Sequence, residues 1–181
     1  MKTISLFLVI AVLPFFGISQ SIFDKYEDMD KVSSVIVNKS MIDFVSSIGV
    51  DNADREAKEF LEIASGLKSL KVFMTEDKAA AVEMSATVKK YLNSSKLEEL
   101  IRVKDKDVNV KFYVREGRNK DHVEELLMFV TGIGTLKNDV NGRNIETVLL
   151  SITGDIDLNK IGTLTNKMDL PKELNKAGKT K

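Results

Sequence analysis

Apolar residues recur along the chain with two different periods, and the period changes near residue 103. Before that point helical spacing dominates, because four segments place apolar side chains three and four positions apart. These predicted helices are 21–29, 41–48, 51–65 and 77–93. Two short apolar runs, 32–37 and 69–74, predict strands that lie between the helices.

A local capping pattern predicts a further short helix after the last of these segments. Ser95 and Glu98 are spaced as in a capping box, ahead of an apolar pair. This short helix should lead into a strand-like stretch at 101–103.

The second half of the chain has the alternation that is typical of strands. Segment 108–114 alternates strictly between apolar and polar residues, which predicts a half-buried strand. Segments 122–130 and 145–153 also predict strands, and the Asn-Gly pair at 141–142 marks a hairpin between them. Asp157 can cap a final helix.

Helices in the first half and successive strands in the second predict an α+β fold in a single domain. We expect the helices to pack on one face of a mainly antiparallel sheet. Each late strand has one polar side, so the other face of the sheet should be solvated or reserved for a partner.

The first 19 residues have the features of a signal peptide. Lys2 precedes an apolar run at 4–16, and the small residues Gly17 and Ser19 fit a cut before Gln20. The alternative is an uncleaved anchor, but the run is shorter than the roughly 20 residues that span a bilayer. The chain therefore divides into a signal peptide at 1–19, one α+β domain at 20–170 and a polar tail at 171–181.

Charge and cysteine content exclude several classes of partner and chemistry. The chain has 27 basic and 27 acidic residues, and Lys2 is the one charged residue that removal of the leader takes away. A protein that holds nucleic acid or an anionic membrane normally has a clear basic excess, so neither partner is expected. The chain has no cysteine, which excludes a thiol nucleophile, a thiolate metal site and a lipidated cysteine.

The single histidine is the first candidate for chemistry. His122 lies beside Asp121 and Glu124 and could act as a general base, although a surface histidine at the start of a strand is the simpler interpretation. Asp155 and Asp157 alternate at a strand end and could contribute to a calcium site. A tight turn with a helix cap is the simpler interpretation of these two aspartates, and helix capping is likewise the simpler interpretation of the acidic stretch at 51–54.

Three other patterns are candidate sites. The Gly-Ile-Gly stretch at 132–134 lacks the third glycine of a dinucleotide loop and the lysine of a P-loop. Glutamate pairs at 98–99 and 124–125 could meet across the fold as glycosidase acids do, but adjacent glutamates point in different directions. We therefore predict no catalytic residue, no metal ligand and no cofactor.

One polar strand face is the candidate interaction surface. Lys111, Tyr113 and Arg115 share a face of the strand at 108–114 and could contact a partner, whereas an alternating solvated face explains them without one.

Several segments together resemble a family of exported bacterial proteins called domain of unknown function 4252. The segments are 23–26, 35–37 with Met41, 97–101 with Val103, 124–127 and 152–158. The resemblance covers roughly residues 21–170 and implies export and a common fold. Some members of that family are lipid-anchored through a cysteine, which this chain lacks. The resemblance implies no activity and no functional residues.

These observations predict a non-enzymatic binding or interaction module of the cell envelope. Its location would be periplasmic or extracellular, with no transmembrane segment in the mature chain. Its partner would be a protein or an envelope component. The alternative is a hydrolase that uses carboxylates alone, which requires a pocket where two acids converge with a raised pKa.

Overall fold

The computed structural model describes residues 21–48, 61–62, 64–135 and 144–158. Several predictions fall outside these residues: the signal peptide, the hairpin at 141–142, the polar tail and most of the helix at 51–65. Of that helix, residues 61–62 and 64–65 are described and are helical. The helices and strands are β1 (Val32–Asn38), α1 (Lys39–Ile48), β2 (Leu67–Thr75), α2 (Lys78–Ser94), β3 (Glu98–Asp105), β4 (Val108–Glu116), β5 (His122–Thr131) and β6 (Thr147–Asp157). Short 3-10 turns lie at Asp24–Tyr26 and Ile133–Thr135.

The six strands form one antiparallel sheet in the order β1-β2-β6-β5-β4-β3. Strands β3 to β6 follow one another as a meander, and β6 inserts between β5 and β2. Because β2 lies next to one edge strand of this order and β3 is the opposite edge strand, the connection through α2 has to cross the sheet. The predicted α+β class with a mainly antiparallel sheet is confirmed.

One face of the sheet packs against α2 and the N-terminal turn. Met84 and Val88 of α2 meet Phe23 and Tyr26 of the turn in one buried cluster. The sheet contributes five residues to this cluster, which are Phe73, Tyr113, Leu127, Phe129 and Leu149. Paired residues on neighbouring strands share a face, as Phe73, Leu149 and Phe129 do across β2, β6 and β5.

The other face of the sheet is mainly apolar, with apolar residues on all six strands. These apolar residues in order from β1 to β3 are Val35, Val37, Leu70, Val72, Met74, Val148, Leu150, Ile152, Leu126, Met128, Val130, Val110, Phe112, Val114, Ile101 and Val103. Phe112, Val114 and Leu126 belong to a second buried cluster on this side. The prediction of one polar, solvated sheet face is therefore wrong, because the polar positions of β4 lie on the side that carries α2. The alternative, a face reserved for a partner, stays a prediction.

Two predicted helices are replaced by other structure. Segment 21–29 contains only a single 3-10 turn. The capping-box segment does not open a helix, because Glu98 is the first residue of β3. Asp157 is the last residue of β6, and of the final helix only Leu158 lies within the described residues.

Candidate functional site

The exposed apolar side chains of the described residues concentrate on β1 and α1. Val35 and Ile36 of β1 are 50% and 39% exposed, and Met41, Phe44 and Val45 of α1 are 51%, 58% and 39% exposed. These five residues are called the α1–β1 surface below. Val82 of α2 and Leu100 of β3 are exposed singly, which is common on protein surfaces and needs no explanation.

Local sequence fixes α1 directly against the end of β1. The Asn38 side chain accepts a hydrogen bond from the backbone N–H of Met41 at 3.0 Å, which caps the first turn. Lys39 and Asp43 form an ion pair at 2.6 Å, one helical turn apart. The helix therefore starts without a linker and contacts both β1 and β2.

The orientation of α1 exposes the stripe that the sequence predicts to be buried. Met41, Phe44 and Val45 lie at i, i+3 and i+4, so they share one side of the helix. Among residues 39–47 of α1, Ile42 alone belongs to the buried core, at 6% exposure. A stripe of this spacing ordinarily faces the core of a protein. In α1 the stripe is exposed instead, so it is not buried by the other described residues.

Lys111, Tyr113 and Arg115 share a face of β4, as predicted, but this face is the one that packs against α2. Tyr113 is only 9% exposed and belongs to the buried cluster. Its pKa is raised by burial and by the nearby Glu99 carboxylate. The three residues thus do not form a continuous exposed surface, and their role in binding stays a prediction.

Glu125, one of the paired glutamates, is a buried carboxylate with its polar contacts satisfied. It is 2% exposed, and the Tyr91 hydroxyl lies 2.9 and 2.8 Å from its two oxygens. The Arg115 guanidinium lies 3.0 Å from Oε2 of Glu125. Burial and the hydrogen bond to Glu125 raise the pKa of Tyr91 to about 12. These contacts join α2, β4 and β5 and fit a structural role.

His122 pairs with an aspartate far away in the sequence, not with Asp121 or Glu124. Its Nδ1 lies 2.5 Å from Oδ1 of Asp155 on the neighbouring strand β6. The Arg118 guanidinium lies 3.1 Å from the other oxygen of Asp155. Asp155 is thus engaged by two basic side chains. Across the described residues, no group of three histidine or acidic side chains is arranged to hold a metal ion.

An open cavity of about 500 Å³ lies at the Thr75 end of β2, beside the start of α2. Two acids, Glu76 and Asp77, line it together with Lys31. The Asp77 side chain accepts a hydrogen bond from the Ala80 backbone N–H at 2.9 Å and forms an ion pair with Lys31 at 2.9 Å. These contacts hold the pKa of Asp77 below its usual value, which is opposite to the shift that a general acid needs.

The remaining sequence patterns have local structural partners. The Gly-Ile-Gly stretch at 132–134 overlaps the 3-10 turn at Ile133–Thr135. Glu99 is paired with Arg102 at 2.6 Å. The sequence alone does not indicate that β1 or α1 forms an exposed surface. Their apolar patterns predict burial and do not show which side of each element faces the core.

The structure defines an α+β protein with a six-stranded antiparallel sheet and exposed apolar side chains at one sheet edge. The chain belongs to the family described as domain of unknown function (DUF4252), whose sequence model matches residues 26–164. No curated protein and no solved structure matches the chain. Within the described residues, no helix is long and apolar enough to cross a membrane.

Proposed function

We propose that this protein is an exported, non-enzymatic interaction module of the cell envelope that binds its partner through the α1–β1 surface. The observation that carries the proposal is the exposed stripe of Met41, Phe44 and Val45 on the helix that directly follows edge strand β1. Val35 and Ile36 of that strand are also exposed, on its two opposite faces. Apolar area removed from water contributes about 25 cal/mol per Å², so a partner that covers these side chains gains free energy from contact alone.

The chemistry of the surface favours an apolar partner. Strand β1 has no charged residue, and the nearest charges of α1, on Lys39 and Asp43, neutralise each other in an ion pair. A partner with a matching apolar segment would meet no unpaired charge there. The equal numbers of basic and acidic residues over the whole chain give no support for a nucleic-acid partner.

The states of the candidate acids support a non-enzymatic role. Glu125 is buried and hydrogen-bonded, Asp155 is held between His122 and Arg118, and Asp77 caps α2. An acid that donates protons in catalysis has a raised pKa and an open path to substrate. No contact described here favours the alternative of a carboxylate hydrolase.

Export is supported by the leader at 1–19. Residues 1–20 lie outside the described structure, so the sequence alone supports this part of the proposal.

Site-specific photo-crosslinking in the native host tests the binding surface. A photoreactive residue at Phe44 should give a covalent adduct of one discrete mass, because Phe44 is the most exposed residue of the stripe. The matched control is the same residue at Val82, which is 70% exposed and lies on α2.

Equal labelling at both positions, or no adduct at either, would contradict the proposal. An adduct at position 44 alone would support it, and mass spectrometry of the adduct would identify the partner.

A further inference from the structure

The two edges of the sheet differ in a way that bears on the partner. Edge strand β3 carries five charged residues in its eight positions, and its pairing with β4 is irregular between Glu99 and Ile101. Charges and bulges are the usual devices that stop an edge strand from pairing with another chain. Edge strand β1 carries no charge in its seven positions and pairs with β2 without a register shift.

The outer side of β1 is available for pairing among the described residues. Apart from its pairing with β2, no backbone hydrogen bond from another described segment reaches the strand between Ser33 and Asn38, and the N–H of Val32 bonds back to Met29. Side chains on both faces are exposed, with Val35 on the apolar face and Ile36 on the face that carries α2. A regular, uncharged edge of this kind is a template for an added strand.

We propose that a second copy of this chain binds the α1–β1 surface, pairing its β1 with β1 in antiparallel orientation to form a continuous twelve-stranded sheet. This inference rests on the proposed function, because it names the partner of that surface. A two-fold axis through the pair places one residue opposite its own copy. Val35 is the central residue of β1, so pairing about Val35 uses the full length of the strand.

The strand is compatible with itself in this register. Across the two-fold axis Val35 faces Val35, Ser34 faces Ile36, Ser33 faces Val37 and Val32 faces Asn38. No pair contains a charge, so no like charges meet within the ladder. Lys31 and Lys39 would face each other just outside it, and each already has an acidic partner in its own chain, Asp77 and Asp43.

The expected size of the contact indicates a dimer of moderate affinity. A ladder of seven residues is about 24 Å long, which by itself does not reach the roughly 800 Å² per partner of a standard interface. The exposed stripe of α1 follows β1 directly and can add to the contact. We expect a dissociation constant on the order of micromolar.

Charge reversal at Val35 tests the pairing. The protein, purified in the form that the cell accumulates, should dimerise in sedimentation equilibrium. Val35→Lys and Val35→Glu should each weaken the dimer at least about 100-fold, because like charges would meet on the two-fold axis. A mixture of the two variants should dimerise again as a heterodimer. Val82→Lys, on α2, is the control and should leave the dimer unchanged.

A second variant avoids the effect of charge on folding. The chain has no cysteine, so Val35→Cys introduces the single thiol. Directly opposed residues of antiparallel strands have Cβ atoms about 4.5–5.5 Å apart, close enough for mild oxidation to link the two copies. Val82→Cys is the control, because Val82 is 70% exposed against 50% for Val35. Two copies of this variant should form the disulfide at least about 10-fold more slowly.

A wild-type protein that stays monomeric up to about 200 µM, or equal oxidation of the two cysteine variants, overturns the inference. A charge-variant mixture that stays monomeric also overturns it. A monomer that still forms a discrete adduct with another protein at Phe44 would overturn the dimer and leave the proposed function standing. Loss of that adduct as well would remove both.

Discussion

Glu124 and Glu125 are neighbours in sequence with opposite environments. Glu124 is exposed, and its Oε2 atom lies 3.6 Å from the Arg115 Nε atom. Glu125 is buried, accepts a hydrogen bond from the Tyr91 hydroxyl and forms an ion pair with Arg115. Removing one partner of a buried ion pair leaves the other charge without compensation. The two residues therefore differ in their contribution to stability, although a sequence pattern treats them alike.

Glu125→Ala should lower the free energy of unfolding by about 3 kcal/mol, because Arg115 and Tyr91 lose their buried acceptor. Glu124→Ala should change it by less than about 1 kcal/mol, since that pair is solvated. Urea unfolding of both variants checks the prediction. An equal loss of stability in the two variants would mean that the contacts of Glu125 with Tyr91 and Arg115 do not hold α2 to the sheet.

Tyr91 should make stability fall at high pH. The unfolded chain releases this proton near its ordinary pKa of 10.0, and the folded protein keeps it up to about 12. The folded state thus binds the proton more tightly, so the contribution is complete below pH 10 and is lost as the pH rises through this range. Urea unfolding at about pH 9 and about pH 11 should show a smaller loss of stability in Tyr91→Phe than in the wild type. An equal loss in both would place the titration elsewhere.

At the scale of elements, the pairing of β2 with β6 depends on a glycine. Gly154 has φ +147 and lies opposite Leu67, where the register between Leu67 and Ser69 shifts. The next residue, Asp155, donates its N–H to the Gly66 carbonyl at 2.8 Å. A Cβ at position 154 would overlap that carbonyl and lie 2.7 Å from the Leu67 Cα. The two strand backbones therefore approach too closely for a side chain.

Gly154→Ala should destabilise the protein by about 2 kcal/mol or more, through both the clash and the positive φ. Gly134→Ala is the matched control, because the added methyl would meet the flexible carboxylate of Glu146 at 2.8 Å. Thermal unfolding compares the two. A control that loses as much stability as Gly154→Ala would contradict the explanation by backbone approach.

The two α-helices show how similar patterns give different placements. In α2 the apolar stripe faces the sheet, with Met84 and Val88 in the core and Asp77 as the N-cap. In α1 the corresponding stripe faces outward. Helix α2 has to cross the sheet between β2 and β3, whereas α1 is tied to the edge strand that it follows.

For the whole molecule, export is the prediction that the leader makes. If the leader is cleaved as the small residues at 17 and 19 indicate, intact-mass analysis should give a chain that begins at Gln20. A protein that keeps Met1 and stays in the cytosol would contradict export. It would leave the α1–β1 surface unaffected, because that surface depends on the folded domain alone.

Local pattern was sufficient for most of the fold. Strands β1, β2, β4 and β5 and helices α1 and α2 were predicted within about two residues of their observed bounds, because apolar periodicity and capping are properties of neighbouring residues. Strand β6, predicted at 145–153, extends to Asp157. Strand β3 was missed at its start, since the capping box at Ser95 competes with pairing to β4, which lies beyond the local sequence. The resemblance to the family, carried by core positions, was also available from the sequence and is confirmed.

The sequence by itself determined the α+β class, most elements, the family and the uncharged character of β1. Only the tertiary structure decided that the polar side of β4 packs under α2, that Glu125 is buried and that the stripe of α1 is exposed. The physical reason is that periodicity fixes which residues share a side of an element. Which way that side faces depends on the order of the strands and on what packs against each face of the sheet.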